Sequence, residues 1–332
     1  MRPEILLPAQ KCTLGCPILD QFLAGGIPCG SITELSGESG SGKTQLALQL
    51  LLSAQLPLSL GGLSASSLYL HSEPPYPFRR FEQLSKAFYL SYPQLFNSVE
   101  CVCNNVHVQD LHSADHLFDV VLKLDSALAE ESRKAMPIKV IVIDSIAALF
   151  RSEFENTPFD LKRRASLFFK ISIKLKLVAK RYGVAVLVTN QVVDVMRSSG
   201  DLNALRIGNI DLYSSGRRVC PALGISWASC VNSRLFLSMN EEIVGNAMGE
   251  GDADISCRRT KREMHVVFAP HLPSSSCEYV INREGVFGVG GQIKASVSGT
   301  SFKSDASKNP TFLLCDEDYS CGKSVKLNSS SS

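Results

Sequence analysis

One turn limits what this chain can fold into more than any other feature of it. Gly37-Glu38-Ser39-Gly40-Ser41-Gly42-Lys43-Thr44 fits the pattern G-x-x-x-x-G-K-[ST], with a strand-like run (SITELSG) before it and an apolar helical pattern, opening with Gln45, after it. Glycines let the backbone curl so that successive N–H groups point at an anion, beside a helix N-terminus whose dipole favours negative charge. Lys43 is expected to reach the β- and γ-phosphates of a nucleotide, and the Thr44 hydroxyl to ligate Mg²⁺. Gly37 to Gln45 form the expected phosphate-contacting set.

Four more β-rich runs follow, at 67–73 (SLYLHSE), 105–110 (NVHVQD), 138–145 (IKVIVIDS) and 184–191 (VAVLVTNQ), with long helical patterns between them. Strands alternating with helices imply a parallel sheet covered on both faces, with ligands beyond the carboxyl ends of its strands. The polar residues at those ends therefore carry the chemistry. Asp144 ends KVIVID, where its carboxylate is placed to hold Mg²⁺. Glu73 ends the run before it and is placed to orient and activate an attacking water. Asn190 and Gln191 close VAVLVTNQ. An uncharged amide there can tell a triphosphate from a diphosphate and pass the difference to the loop that follows.

That loop, 192–220, has little regular pattern and is longer than a connection needs to be, which marks it as functional or disordered. The runs at 233–238, 263–270 and 277–286 read as strands with tight turns, an antiparallel extension of the sheet. From about Gly288 the Ser/Lys-rich tail is expected to have no structure.

Composition narrows the setting. The 332 residues carry 34 basic and 32 acidic side chains, a net charge of +2, so any nucleic-acid surface must be local. The 11 cysteines are odd in number and scattered through apolar runs, with no signal-peptide pattern upstream, which points to free thiols in a reducing compartment. Cys101 and Cys103 lack the spacing of a zinc site. No apolar run approaches the ~18 residues of a membrane span, so no membrane partner is expected.

Taken in order, GESGSGKT, LYLHSE, VIVIDS and VLVTNQ resemble the RecA-like recombinase family. Longer stretches, among them TLGCPILDQFLAGGIPCGSITELSG, DSIAALFRSEFE and PALGISWASCVNSRLFLS, are similar to the eukaryotic recombinase paralogues over about residues 11–287. The resemblance implies an α/β RecA-like P-loop NTPase core at 31–287, after a short N-terminal segment (1–30) without the family's helical N-terminal domain and before a disordered tail (288–332). It implies ATP and Mg²⁺ as cofactors, Lys43, Glu73 and Gln191 as catalytic residues, Thr44 and Asp144 at the metal, and Arg80 stacking on adenine. His71 and Ser72 stand where the recombinases commonly show Asp-Thr, which leaves the acid in place.

Two loops line the DNA path in such proteins. The first corresponds to 151–166, with Arg151, Lys162, Arg163 and Arg164, and the second to 192–220, with Arg197, Arg206, Arg217 and Arg218. Cationic groups on mobile loops can hold phosphates without reading sequence. RRTKR (258–262) reads as a nuclear address, a DNA contact or a solvated hairpin. The implied activity is weak, DNA-dependent ATP hydrolysis in homologous-recombination repair of double-strand breaks and cross-links, and in meiosis. The implied partners are single-stranded, forked or Holliday-junction DNA, a C-type recombinase paralogue as heterodimer, and the main strand-exchange recombinase. The implied location is the nucleus, with the cytoplasm as a second one. The alternatives are a scaffold with incidental hydrolysis and a P-loop kinase.

Overall fold

The structure, a computed structural model, describes residues 10–155, 157–195, 211–244, 257–290 and 294–295. It opens with a two-stranded hairpin, β1 (Lys11–Cys12) and β2 (Ile27–Pro28), around a short helix α1 (Pro17–Phe22). Leu14, Leu19, Phe22, Leu23 and Ile27 are buried in the same cluster as the helix after the P-loop. Residues 11–30 thus belong to the core, and the expected boundary at 30 is no boundary in the packing.

The central sheet grows by strand–helix repeats. β3 (Ser31–Gly37) leads to α2 (Lys43–Ser53), and β4 (Ser66–His71) to α3 (Phe78–Ser91) and α4 (Val99–Asn104). β5 (Val106–Asp110) leads to α5 (Ala114–Glu131), and β6 (Ile138–Asp144) to α6 (Ile146–Ser152) and α7 (Pro158–Tyr182). After β7 (Ala185–Asn190), three short strands, β8 (Val192–Asp194), β9 (Leu212–Ser214) and β10 (Arg217–Pro221), form a separate antiparallel sheet in the order β8-β10-β9. After α8 (Gly224–Ala228) come β11 (Ser233–Val244), β12 (Cys257–Phe268), β13 (Ser275–Ile281), β14 (Val286–Gly288) and β15 (Lys294–Ala295).

The large sheet runs β5-β4-β6-β7-β3-β11-β12-β13-β14, with β15 on β13. From β5 to β11 every pairing is parallel, and from β11 onward antiparallel. This is the mostly parallel sheet with an antiparallel extension read from the pattern. Alternation decides the two faces: Val140 and Val142 of β6 join α2 and α3, while Ile141 and Ile143 join α5, α6 and α7. Among the described residues, no helix is long and apolar enough to cross a membrane.

Three expectations change. The stretch after Gln191 is not wholly irregular, since its described parts form β8, β9 and β10. The basic residues of the first loop are not on a mobile loop. Pro158 opens α7, the Thr157 hydroxyl accepts from the Asp160 amide at 3.1 Å, and Lys162, Arg163 and Arg164 follow in the first turns. The basic run takes the hairpin reading, with Arg259 to Arg262 in the 12-residue strand β12, antiparallel to β11. The tail expected to have no structure from about Gly288 is ordered at its start, since Gly288 ends β14 and 294–295 form β15, while 291–293 and the residues from 296 lie outside the described residues.

Candidate functional site

The P-loop is held open by what surrounds it. Gly42 precedes α2 with φ of 103°, and a Cβ there would stand 2.7 Å from Ile281 Cδ1; at Gly37 it would stand 2.7 Å from the Leu237 carbonyl oxygen. At Gly37 the neighbouring backbone thus leaves no room for a side chain, and at Gly42 the left-handed backbone favours glycine. The Tyr279 hydroxyl donates to the Ser41 carbonyl, and Ser41 Oγ donates to the Glu38 carbonyl at 2.8 Å. Lys43 Nζ lies back over the loop and donates to the carbonyls of Gly37 and Glu38 at 2.8 and 2.9 Å. Burial lowers the Lys43 pKa, against the pull of Asp144, Glu73 and Glu38. An added polyanion beside it favours the charged ammonium.

Asp144 is reached by hydroxyls from three elements: Thr44 on α2 at 2.7 Å, Tyr69 on β4 at 2.9 Å and Thr189 on β7 at 2.5 Å. Burial, with Asp144 adding to it, raises the Tyr69 pKa, so this hydroxyl stays a donor. Glu73 Oε1 accepts from Ser145 Oγ and from Gln191 Nε2, both at 2.9 Å. Gln191 Oε1 in turn accepts from Arg151 at 2.6 Å. The expected water-orienting acid and the expected phosphate-sensing amide are therefore bonded to each other.

Lys43, Thr44, Glu73, Asp144, Ser145 and Gln191 line one cleft of about 700 Å³, whose wall includes Ser39, Gly40, Gln45 and Arg151. Asn190 is not among them. As the preceding residue on β7 it faces the other way, fully buried, and donates from Nδ2 to Glu34 at 2.6 Å. Arg80 borders a neighbouring open groove with Gln83, Lys86 and Arg283. Its guanidinium is fixed by Gln45 at 2.6 Å, by Gln83, and by the carbonyls of Asn282 and Arg283 at 2.8 and 2.9 Å.

The described residues expected on the DNA path each have their own surroundings. Arg163 pairs with Asp115 at 2.5 Å, and Arg164 lies over the Phe168 ring at 5.4 Å. Lys162 is exposed on α7. Arg218 pairs with Asp211 at 2.6 Å, whereas Arg217 turns into the nucleotide cleft, between Glu38 at 2.8 Å and Asp194 at 3.0 Å. Arg197 and Arg206 lie outside the described residues. Tyr69, Ser145, Thr189 and Asp194 also belong to this neighbourhood and were not singled out from sequence, and Arg262, the last residue of the basic run RRTKR, lines the cleft as well. Tyr69 and Thr189 had a usable signal, since both sit at inward positions of strands whose ends carry the acid and the amide.

The donor set fits a nucleoside triphosphate with Mg²⁺. The helix N-terminus and Lys43 suit the phosphates, and a threonine hydroxyl beside a carboxylate, both oxygen donors, suits a hard cation. A parallel sheet carrying a P-loop, an acid two strands away and a carboxylate on the strand beyond that acid defines a RecA-like ATPase core.

The chain belongs to the Rad51 family, whose model matches residues 8–207. It is 52% identical over 298 residues to the DNA repair protein XRCC3 homolog of Arabidopsis thaliana, covering 87% of this chain and 98% of that protein. It is 34% identical over 286 residues to DNA repair protein XRCC3 of Mus musculus, covering 85% of this chain and 76% of that one. Against DNA repair protein RAD51 homolog 2 of the same organism the identity is 31% over 246 residues, 71% of this chain and 68% of the other.

Proposed function

We propose that this chain is a nuclear, ATP-dependent recombinase paralogue that binds DNA and works in homologous-recombination repair of double-strand breaks and cross-links and in meiosis. One observation carries the reading: Lys43, Thr44, Asp144, Glu73 and Gln191 converge on a single cleft. Lys43 and the amides of the α2 N-terminus bind the phosphates, while Thr44 and Asp144 hold the cation. When bound there, Mg²⁺ would supply charge neutralisation at the transferring phosphoryl group. Glu73 orients a water, and Gln191, which donates to Glu73 and immediately precedes β8, passes nucleotide state to the segment beyond it.

By its similarity to the paralogues, its partner is a C-type recombinase paralogue in a heterodimer that assists the strand-exchange recombinase. Its DNA is single-stranded, forked or a Holliday junction. The test is co-expression with such a paralogue, followed by ATP hydrolysis with and without single-stranded DNA. DNA-stimulated turnover that disappears in Glu73→Gln, with ATP binding kept, supports the reading. A stable complex that hydrolyses no ATP makes it a scaffold instead.

A further inference from the structure

Glu38 is the second residue of the P-loop, and its side chain is 10% exposed. A carboxylate this close to a phosphate-binding turn opposes the ligand by like charge. The fold answers it from one place. Ser214 Oγ, Ser215 Oγ at 2.5 Å and Arg217 Nη2 at 2.8 Å all reach Glu38, and all three stand on the β9–β10 hairpin. Arg217 is held from its other side by both oxygens of Asp194 on β8, at 3.0 Å.

The hairpin is built for that reach. Ser215 and Gly216 have φ of 50° and 72°, a two-residue turn with both central residues left-handed, which places Ser214 opposite Arg217. Ser215 N donates to the Met239 carbonyl and Met239 N bonds to Ser214 Oγ at 3.0 Å, so the turn is also pinned to β11.

We propose that Arg217 is a positioning residue of the nucleotide site: it neutralises Glu38, and through that contact the β8-β10-β9 sheet becomes a working part of the phosphate cleft. This inference rests on the reading of the cleft as an ATP site. It changes the assignment of Arg217 from DNA to nucleotide. It also supplies a second link from the cleft to this small sheet, alongside Gln191, which immediately precedes β8. Loss of Arg217 leaves a mostly buried carboxylate against the phosphates, so the triphosphate, with more charge, suffers more than the diphosphate.

The test is a double-mutant cycle on Glu38→Gln and Arg217→Ala, with Arg217→Lys as the conservative variant. The readout is Mg²⁺-ATP and Mg²⁺-ADP affinity of the full chain, measured by titration with fluorescent analogues, and melting temperature tracks folding. Arg217→Ala is expected to weaken ATP binding about tenfold or more and ADP binding less, and Arg217→Lys to recover part of the loss. On the Glu38→Gln background, Arg217→Ala is expected to change ATP affinity by less than about twofold. Wild-type ATP affinity in Arg217→Ala overturns the inference, as does an equal loss on both backgrounds. Reduced DNA affinity with unchanged ATP binding returns Arg217 to the DNA path. A wild-type chain that binds no ATP removes the ATP reading itself, a failure distinct from these.

Discussion

Two carboxylates four residues apart, Glu34 in the middle of β3 and Glu38 just beyond its end, each pair with an arginine, and the two pairs do different work. Glu34 and Arg234 are both fully buried in the sheet, opposite each other in the parallel β3–β11 register. Asn190 adds a hydrogen bond to Glu34, and the Arg234 guanidinium lies 5.4 Å over the Phe268 ring. Glu38 and Arg217 make the same kind of contact at the cleft rim, where the arginine is 54% exposed and shared with Asp194. Burying a charge pair costs several kcal/mol of desolvation, so removing one partner of the inner pair, which links β3 to β11, leaves that cost uncompensated. The rim pair is solvated on the arginine side and can be exchanged for another anion. Depth in the sheet separates a rivet from an adjustable contact.

The largest effect is expected from Arg234→Ala. It leaves the buried Glu34 carboxylate without its arginine and with the Asn190 amide still donating to it, a loss of about 3–5 kcal/mol of unfolding free energy. Urea denaturation measures it. If the cost comes from the orphaned charge, Glu34→Leu with Arg234→Met together recover most of the loss. A single mutant that costs under about 1 kcal/mol breaks the comparison, because the inner pair is then no rivet.

Arg217→Ala sharpens the contrast from the other side. Its guanidinium is half-exposed, so water and the two serines take over part of its role, and the stability loss is expected to be about 1 kcal/mol or less. The same denaturation experiment reads it. Its main effect falls on ATP affinity. A destabilisation equal to that of Arg234→Ala would make both pairs structural.

Much of this was legible, and the exceptions have physical causes. The P-loop, Asp144, Glu73 and Gln191 could be read because they sit at the ends of short apolar runs, where chain order and strand parity dictate position. Glu34 lies in the middle of SITELSG, and its partner is 200 residues away on a strand that joins by a long crossover, so no local pattern points to the pair. Arg217 read as a loop cation because the strands around it are three and five residues long, too short for alternation to register. The Ser215-Gly216 turn was the one local signal of a hairpin there. The first 30 residues looked like a leader to the core because their apolar positions follow no helix or strand period. From Cys12 onward, their burial comes from tertiary packing against α2 and β14.

The smallest effect sets the far end of the scale. Lys86 and Glu82 pair at 2.7 Å, one turn apart on α3, with side chains 59% and 44% exposed. Their Coulomb attraction acts through water, and both long side chains lose rotamer freedom to keep it, so Lys86→Ala is expected to cost about 0.3–0.5 kcal/mol at low salt. Raising the ionic strength to about 1 M shortens the screening length to roughly 3 Å and should erase most of the difference. Arg234→Ala should keep its full cost under the same salt, because ions do not enter the sheet. Arg217→Ala should fall between them, its stability cost reduced by salt but not removed, since Glu38 is itself mostly buried. Measuring the three variants at both salt concentrations therefore orders the pairs by depth. A salt-insensitive Lys86→Ala, or a salt-sensitive Arg234→Ala, would mean that exposure is not what distinguishes them.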